Sequence, residues 1–100
     1  MQKDIQHYFL KLNPPRKSFM QDMTEDEKMI MQKHVAYWAT YVKDGTVIVL
    51  GPVMDPAGGY GIAVLGVESE DRLLELIKND PANGLNHYEW HPMRAVTRQR

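Results

Sequence analysis

Alternation is the first signal along the chain. In residues 5–12, Tyr8, Leu10 and Leu12 recur at every second position within a β-friendly run, which predicts a strand with one face turned to a core. Asn13, Pro14 and Pro15 stop it, because proline cannot donate to a central ladder. Residues 16–23 read as a linker whose Phe19, Met20 and Met23 lie over the sheet or over a ligand cavity. At Thr24 the period changes. Thr24 and Glu27 have the spacing of a capping box, and Glu25 and Asp26 sit where the helix dipole favours anions. Met31, Val35, Trp38 and Val42 then define an apolar stripe, with Ile30, His34 and Tyr41 on its shoulder and Gln32, Lys33, Ala36 and Thr40 away from it. Asp44-Gly45 ends this helix with the residue best able to take a positive φ.

The second half repeats the logic. Residues 46–50 are a short β-branched strand closed by Gly51-Pro52, and 54–59 form a turn rich in Asp, Pro and Gly. In the next strand Tyr60, Ile62 and Val64 alternate with Gly61, Ala63 and Leu65, so the two strands form a hairpin. Ser69 is an N-cap for a second helix whose buried side is Leu73, Leu74, Leu76 and Ile77, and Asp80-Pro81 terminates it. Residues 85–90 read as a last strand, with His91-Pro92 marking its end or a bulge before Ala95 and Val96 continue the edge.

The order β-α-β-β-α-β is the ferredoxin-like α+β pattern, a four-stranded antiparallel sheet with two helices on one face. The other face is left bare. With Tyr60, Ile62, Tyr88 and Trp90 on it, that face forms an apolar patch larger than monomers tolerate, which predicts a homodimer packed sheet to sheet.

Composition narrows the partners. One hundred residues suit a single domain spanning 1–100, and 43% apolar with 25% charged residues is ordinary globular composition. A net charge of −1 offers no field to recruit nucleic acid or an anionic membrane. Arg94, Arg98 and Arg100 form a basic tail without interleaved aromatics and read as a solvated end. The lack of cysteine rules out disulfides, a thiolate nucleophile and Cys-ligated metal. The first twenty residues resemble neither a signal peptide nor a membrane span, so cytoplasmic residence is expected.

Few residues carry candidate chemistry. His34 lies about 40° around the helix from Trp38, toward the helix–sheet interface, where an imidazole serves either as a structural donor or as a general base. Asp80 follows the second helix at the unfavourable end of its dipole, where it either caps a turn at Pro81 or orients His34. Asp55 lies in the loop after Gly51 and Pro52, and these two shape a pocket wall. Trp38, Tyr60 and Tyr88 supply aromatic wall, with a tyrosine hydroxyl available to a developing oxyanion. His87, Glu89 and His91 share a strand face, but the two histidines stand about 13 Å apart at 3.3 Å per residue, so the expectation is no metal site. Gly58-Gly59-Tyr60-Gly61 lacks the Lys-Ser or Lys-Thr of a phosphate loop, and no cofactor is expected.

Taken in order, the N-terminal strand, KHVAYWATYVKDG around His34, VLGPVMDPAGGYG around Gly51-Pro52, KNDPANGL around Asp80-Pro81 and the strand into His91-Pro92 resemble the YCII-related domain of the dimeric α+β barrel superfamily. The resemblance implies a homodimer with a cavity between sheet and helices and a His-Asp pair as reactive centre. Its relatives include a dehydrochlorinase acting on a chlorinated hydroxyquinol. Two functions follow as expectations: an enzyme, a lyase or isomerase abstracting a proton from a small apolar or aromatic molecule through His34 and Asp80, or a non-catalytic metabolite-binding or regulatory dimer.

Overall fold

The chain runs β1 (Gln6–Asn13), α1 (Phe19–Asp22), α2 (Glu25–Lys43), β2 (Val47–Val53), β3 (Tyr60–Val67), α3 (Glu70–Lys78) and β4 (His87–Met93) in a computed structural model that describes residues 4–98. Each of the predicted elements is present. The sheet order is β2-β3-β1-β4 with all neighbours antiparallel, the ferredoxin-like arrangement that the element order implies. Alternation in β1 buries Tyr8, Leu10 and Leu12 on one face, where they meet Trp38 of α2 and Leu73, Leu76 and Ile77 of α3. Each of Leu10, Leu65, Leu73 and Leu76, essentially inaccessible, contributes about 1.5–3 kcal/mol by its burial.

Local chemistry fixes the helix ends. Thr24 Oγ1 accepts from the Glu27 amide at 3.1 Å while Glu27 Oε1 accepts from the Thr24 amide at 2.8 Å, completing the capping box. Ser69 caps α3 by accepting from the Arg72 amide at 3.3 Å. Gly45, at φ +87°, leaves α2 in the left-handed region that glycine enters without penalty.

Several boundaries and faces differ from the sequence reading. Both proline-containing strands run through their prolines. β2 continues over Gly51-Pro52 to Val53, and β4 starts at His87 rather than at 85 and passes through Pro92 to Met93 without a bulge. The reason is position: β2 and β4 are the two sheet edges, where a missing ladder donor is tolerated. The irregularity lies instead near the start of β2, where the register shifts between Val47 and Val49. Ala95 and Val96 do not extend the edge, and Arg94 and Arg98 are exposed, while Arg100 lies outside the described residues.

Cross-strand pairing also redistributes the expected bare-face residues. Tyr88 and Trp90 stand opposite Leu12 and Leu10 and therefore face the helices. Ile62 and Tyr60 belong to the outer face with Phe9, Lys11 and Val64. α2 is rotated relative to its apolar stripe. His34 and Trp38 are its buried residues, Tyr37 and Tyr41 pack beside them, and Val35 and Val42 are 63% and 44% exposed. Leu74 of α3 likewise turns outward. Finally, the linker contains the short α1, which buries Phe19. Among the described residues no helix is long and apolar enough to cross a membrane.

Candidate active site

Asp80 explains the rotation of α2. It follows the C-cap of α3, Asn79, and its side chain is shielded from solvent. A bare carboxylate there would be strongly unfavourable, and four donors converge on it. His34 Nδ1 lies 2.9 Å from both carboxylate oxygens, Trp38 Nε1 donates to Oδ2 at 2.7 Å, the Tyr88 hydroxyl donates to Oδ2 at 2.6 Å, and the Ala82 amide donates to Oδ1 at 2.9 Å. His34 and Trp38 are one helical turn apart, so only a helix turned to present both can satisfy the carboxylate. Burial pushes the Asp80 carboxyl upward, but the bonds from His34, Tyr88, Trp38 and Ala82 together outweigh it and hold the group below the usual carboxylate range. Tyr88 moves the other way. Burial first, then the adjacent Asp80, raise its phenol well above the ordinary value, which keeps it a donor.

The carboxylate fixes the histidine. A charged acceptor on Nδ1 requires the proton there, which leaves Nε2 with its lone pair free. Among the described residues Nε2 has no hydrogen-bond partner, and the ring borders a cavity of about 430 Å³ between sheet, α2 and the α1 segment. That volume suits a small molecule. A base at the wall of an apolar chamber, oriented from behind by a buried carboxylate, is an arrangement able to take a proton from a bound ligand and stabilise the resulting imidazolium.

Of the remaining sequence-predicted residues, Trp38, Gly51, Pro52 and Tyr60 border this cavity. Asp55 does not: it lines a separate surface hollow, and its carboxylate accepts from the Ala57 amide at 2.8 Å, closing its own turn. Tyr88 is also absent from the cavity wall, because its hydroxyl is committed to Asp80. Tyr60 reaches the cavity from the start of β3, while its ring lies toward the outer face with the Lys11 ammonium 4.4 Å from its centroid. His87, Glu89 and His91 lie on the outer face as well, where Glu89 accepts from Asn13 at 2.5 Å.

Sequence reasoning missed two contributors. Met31 and Met54 join Met20 and Met23 around the chamber; of these four, the sequence offers only Met20 and Met23, in the linker, as lying over the sheet or a cavity. Thioether side chains adapt to irregular space, and Gly59 makes room for one of them: a Cβ there would stand 2.5 Å from Met20 Sδ. The second is Asn86, buried in the cavity wall. It falls within the 85–90 run that reads as strand, with no spacing signal linking it to His34. The α1 segment that closes one side is clamped by Arg16, whose guanidinium donates two bonds to Glu27 at 2.8 and 2.9 Å and two to Asp22, at 2.8 Å to its carboxylate and 3.0 Å to its backbone carbonyl. The Arg16 bonds, then the Thr24 amide, bring the Glu27 carboxyl down to about 2.

Comparison with known proteins bears on the fold and the family. The chain is similar in fold to 5-chloro-2-hydroxyhydroquinone dehydrochlorinase from Burkholderia phenoliruptrix, solved in complex with 2,5-dihydroxybenzoquinone, at 18% identity and a TM-score of 0.64 over 89% of this chain and 95% of that one. No curated protein matches the sequence. The model of the YCII-related domain matches residues 8–96, from within β1 to beyond β4, and the chain belongs to that family.

Proposed function

We propose that this protein is a small-molecule enzyme, a lyase or isomerase, that abstracts a proton through His34 held by Asp80. The observation that carries the reading is the bond pair from His34 Nδ1 to a fully buried carboxylate, with the opposite ring nitrogen left at the wall of an apolar chamber. Nε2 takes the proton of an acidic C–H in the substrate. The electron pair of that bond becomes a new double bond as a leaving group departs with its own bonding pair, or the imidazolium returns the proton to another carbon. Asp80 offsets the positive charge in the interval. The activity of the fold relative, dehydrochlorination of a hydroxylated ring, supports the elimination arm. The alternative, a non-catalytic metabolite-binding dimer, draws support from the nearly all-apolar lining.

A thermal-shift screen of small phenols, lactones and keto acids, followed by turnover assays on the hits, supplies the substrate. His34→Ala then lowers kcat/KM by about 10²–10⁴-fold, and Asp80→Asn impairs turnover by favouring the wrong tautomer. Both variants folded and fully active would reject the pair as the reactive centre. Binding without turnover in the native protein would favour the metabolite-binding reading.

The same proposal includes a homodimer. Phe9, Ile62 and Val64 on the outer face are half-buried in the single chain, and among the described residues no helix packs across them as α2 and α3 pack across the inner face. Sedimentation at micromolar concentration tests it, and a compact species of 11.6 kDa would refute it.

A further inference from the structure

Asn86 stands one residue before β4, its backbone anchored by the bond from its amide to the Ala82 carbonyl at 3.0 Å. It is 8% exposed and shares the cavity wall with His34 and Met31. One end of its side-chain amide is engaged, since Nδ2 donates to Met31 Sδ at 3.7 Å. The other end is not: among the described residues, Asn86 Oδ1 is the one buried side-chain nitrogen or oxygen without a hydrogen-bond partner. Buried polar atoms are almost always paired, because an unmade bond in a low-dielectric interior is costly.

The pairing at Met31 gives the amide its sense. A thioether sulfur can only accept, so it draws the NH₂ group and leaves the oxygen over. The free oxygen cannot be matched by the other apolar side chains around it, Leu12, Met23 and Trp38 among them, the last having given its only donor to Asp80. A leucine at this position would fill similar space with no unmet acceptor. As placed, Oδ1 is shielded, so it meets an occupant of the cavity by a turn of the amide about χ2, which a contact as weak as N–H···S opposes little.

We infer that Asn86 is a specificity-determining residue whose Oδ1 accepts a hydrogen bond from a hydroxyl or N–H of the substrate, while His34 Nε2 meets the substrate's acidic proton. The inference rests on the proposed function and deepens it. It makes the substrate an apolar body with two proton-bearing points, one read by each residue. A molecule lacking the second donor leaves the buried acceptor unmet and is discriminated against, the way hydrogen-bonding sites reject analogues missing the matching group.

Isothermal titration with catechol, resorcinol and hydroquinone, each beside its monomethyl ether, tests this on the intact protein. The expected result is at least one diol bound about tenfold or more tightly than its ether, the size of one hydrogen bond to an otherwise unpaired group. Asn86→Leu and Asn86→Ala both bring that ratio to within about threefold, and Asn86→Leu raises the melting temperature of the unliganded protein by removing the unmet acceptor. A diol preference that survives in both variants, or no preference in the native protein, overturns the assignment. Failure of the underlying reading shows differently: the His34 ring resonances would stay unmoved at saturating diol, whatever happens at position 86.

Discussion

On one side of His34, four donors converge on the two oxygens of Asp80 in a shielded site; on the other, four methionines border open space and Asn86 holds a buried, unmatched amide oxygen in its wall. The first region has its side chains committed to specific partners. Tyr88, Trp38 and His34 cannot rotate without stranding a buried carboxylate, so the tautomer of the histidine is set before any ligand arrives. The second region is assembled from unbranched side chains and a clamped four-residue helix, which can adjust to an occupant. The contrast teaches that one histidine joins a half whose geometry is fixed to a half that can adapt, and on the proposed function the fixed half serves chemistry and the adaptable half fit.

The strongest way to break this contrast is to empty the rigid side. Asp80→Ala strands the donors of His34, Trp38, Tyr88 and Ala82 together and is expected to cost about 3–5 kcal/mol, measured by urea denaturation. A loss under about 1 kcal/mol would mean that water replaces the carboxylate without penalty. Next comes Tyr88→Phe, which removes one charge-assisted bond and should cost about 1.5–3 kcal/mol while leaving the cavity unchanged.

Acid should act on the same side. Because the folded Asp80 carboxyl is held below its unfolded value, its contribution is fully present above about pH 4, the unfolded range, and is lost as pH falls through the folded value. The Asp80→Asn variant should therefore show a shallower acid decline than the native protein in chemical denaturation between pH 5 and 2. Parallel curves would show that other carboxylates set the acid limit.

Smaller effects belong to the cavity side. Thr24→Ala removes the cap of α2 and should lower stability by about 1 kcal/mol with an unchanged m-value. Met20→Leu, a swap of similar volume at the chamber wall, should cost under about 1.5 kcal/mol. If it instead destabilised as much as Tyr88→Phe, the methionine wall would be as tightly specified as the Asp80 cluster and the contrast would collapse.

What the sequence determined by itself was whatever rests on local rules. Strand alternation in β1, the capping box at Thr24, the Ser69 cap and the turn at Gly45 depend on neighbours within a few residues, so they are readable from order alone. The topology followed from element order, and His34 and Asp80, 46 positions apart, were legible singly as candidates while the resemblance to a family favoured them as a pair. Tertiary structure decided the rest. The prolines at 52 and 92 end strands in a central ladder but not at an edge, and only sheet order says which applies. The rotation of α2 away from Val35 and Val42 came from a charge on another element, whose desolvation outweighs the gain from two exposed valines. Tyr88 passed from cavity wall to carboxylate donor, and Asn86 became the unmatched atom of the chamber, because hydrogen-bond partners distant in sequence are assigned by packing and not by residue type.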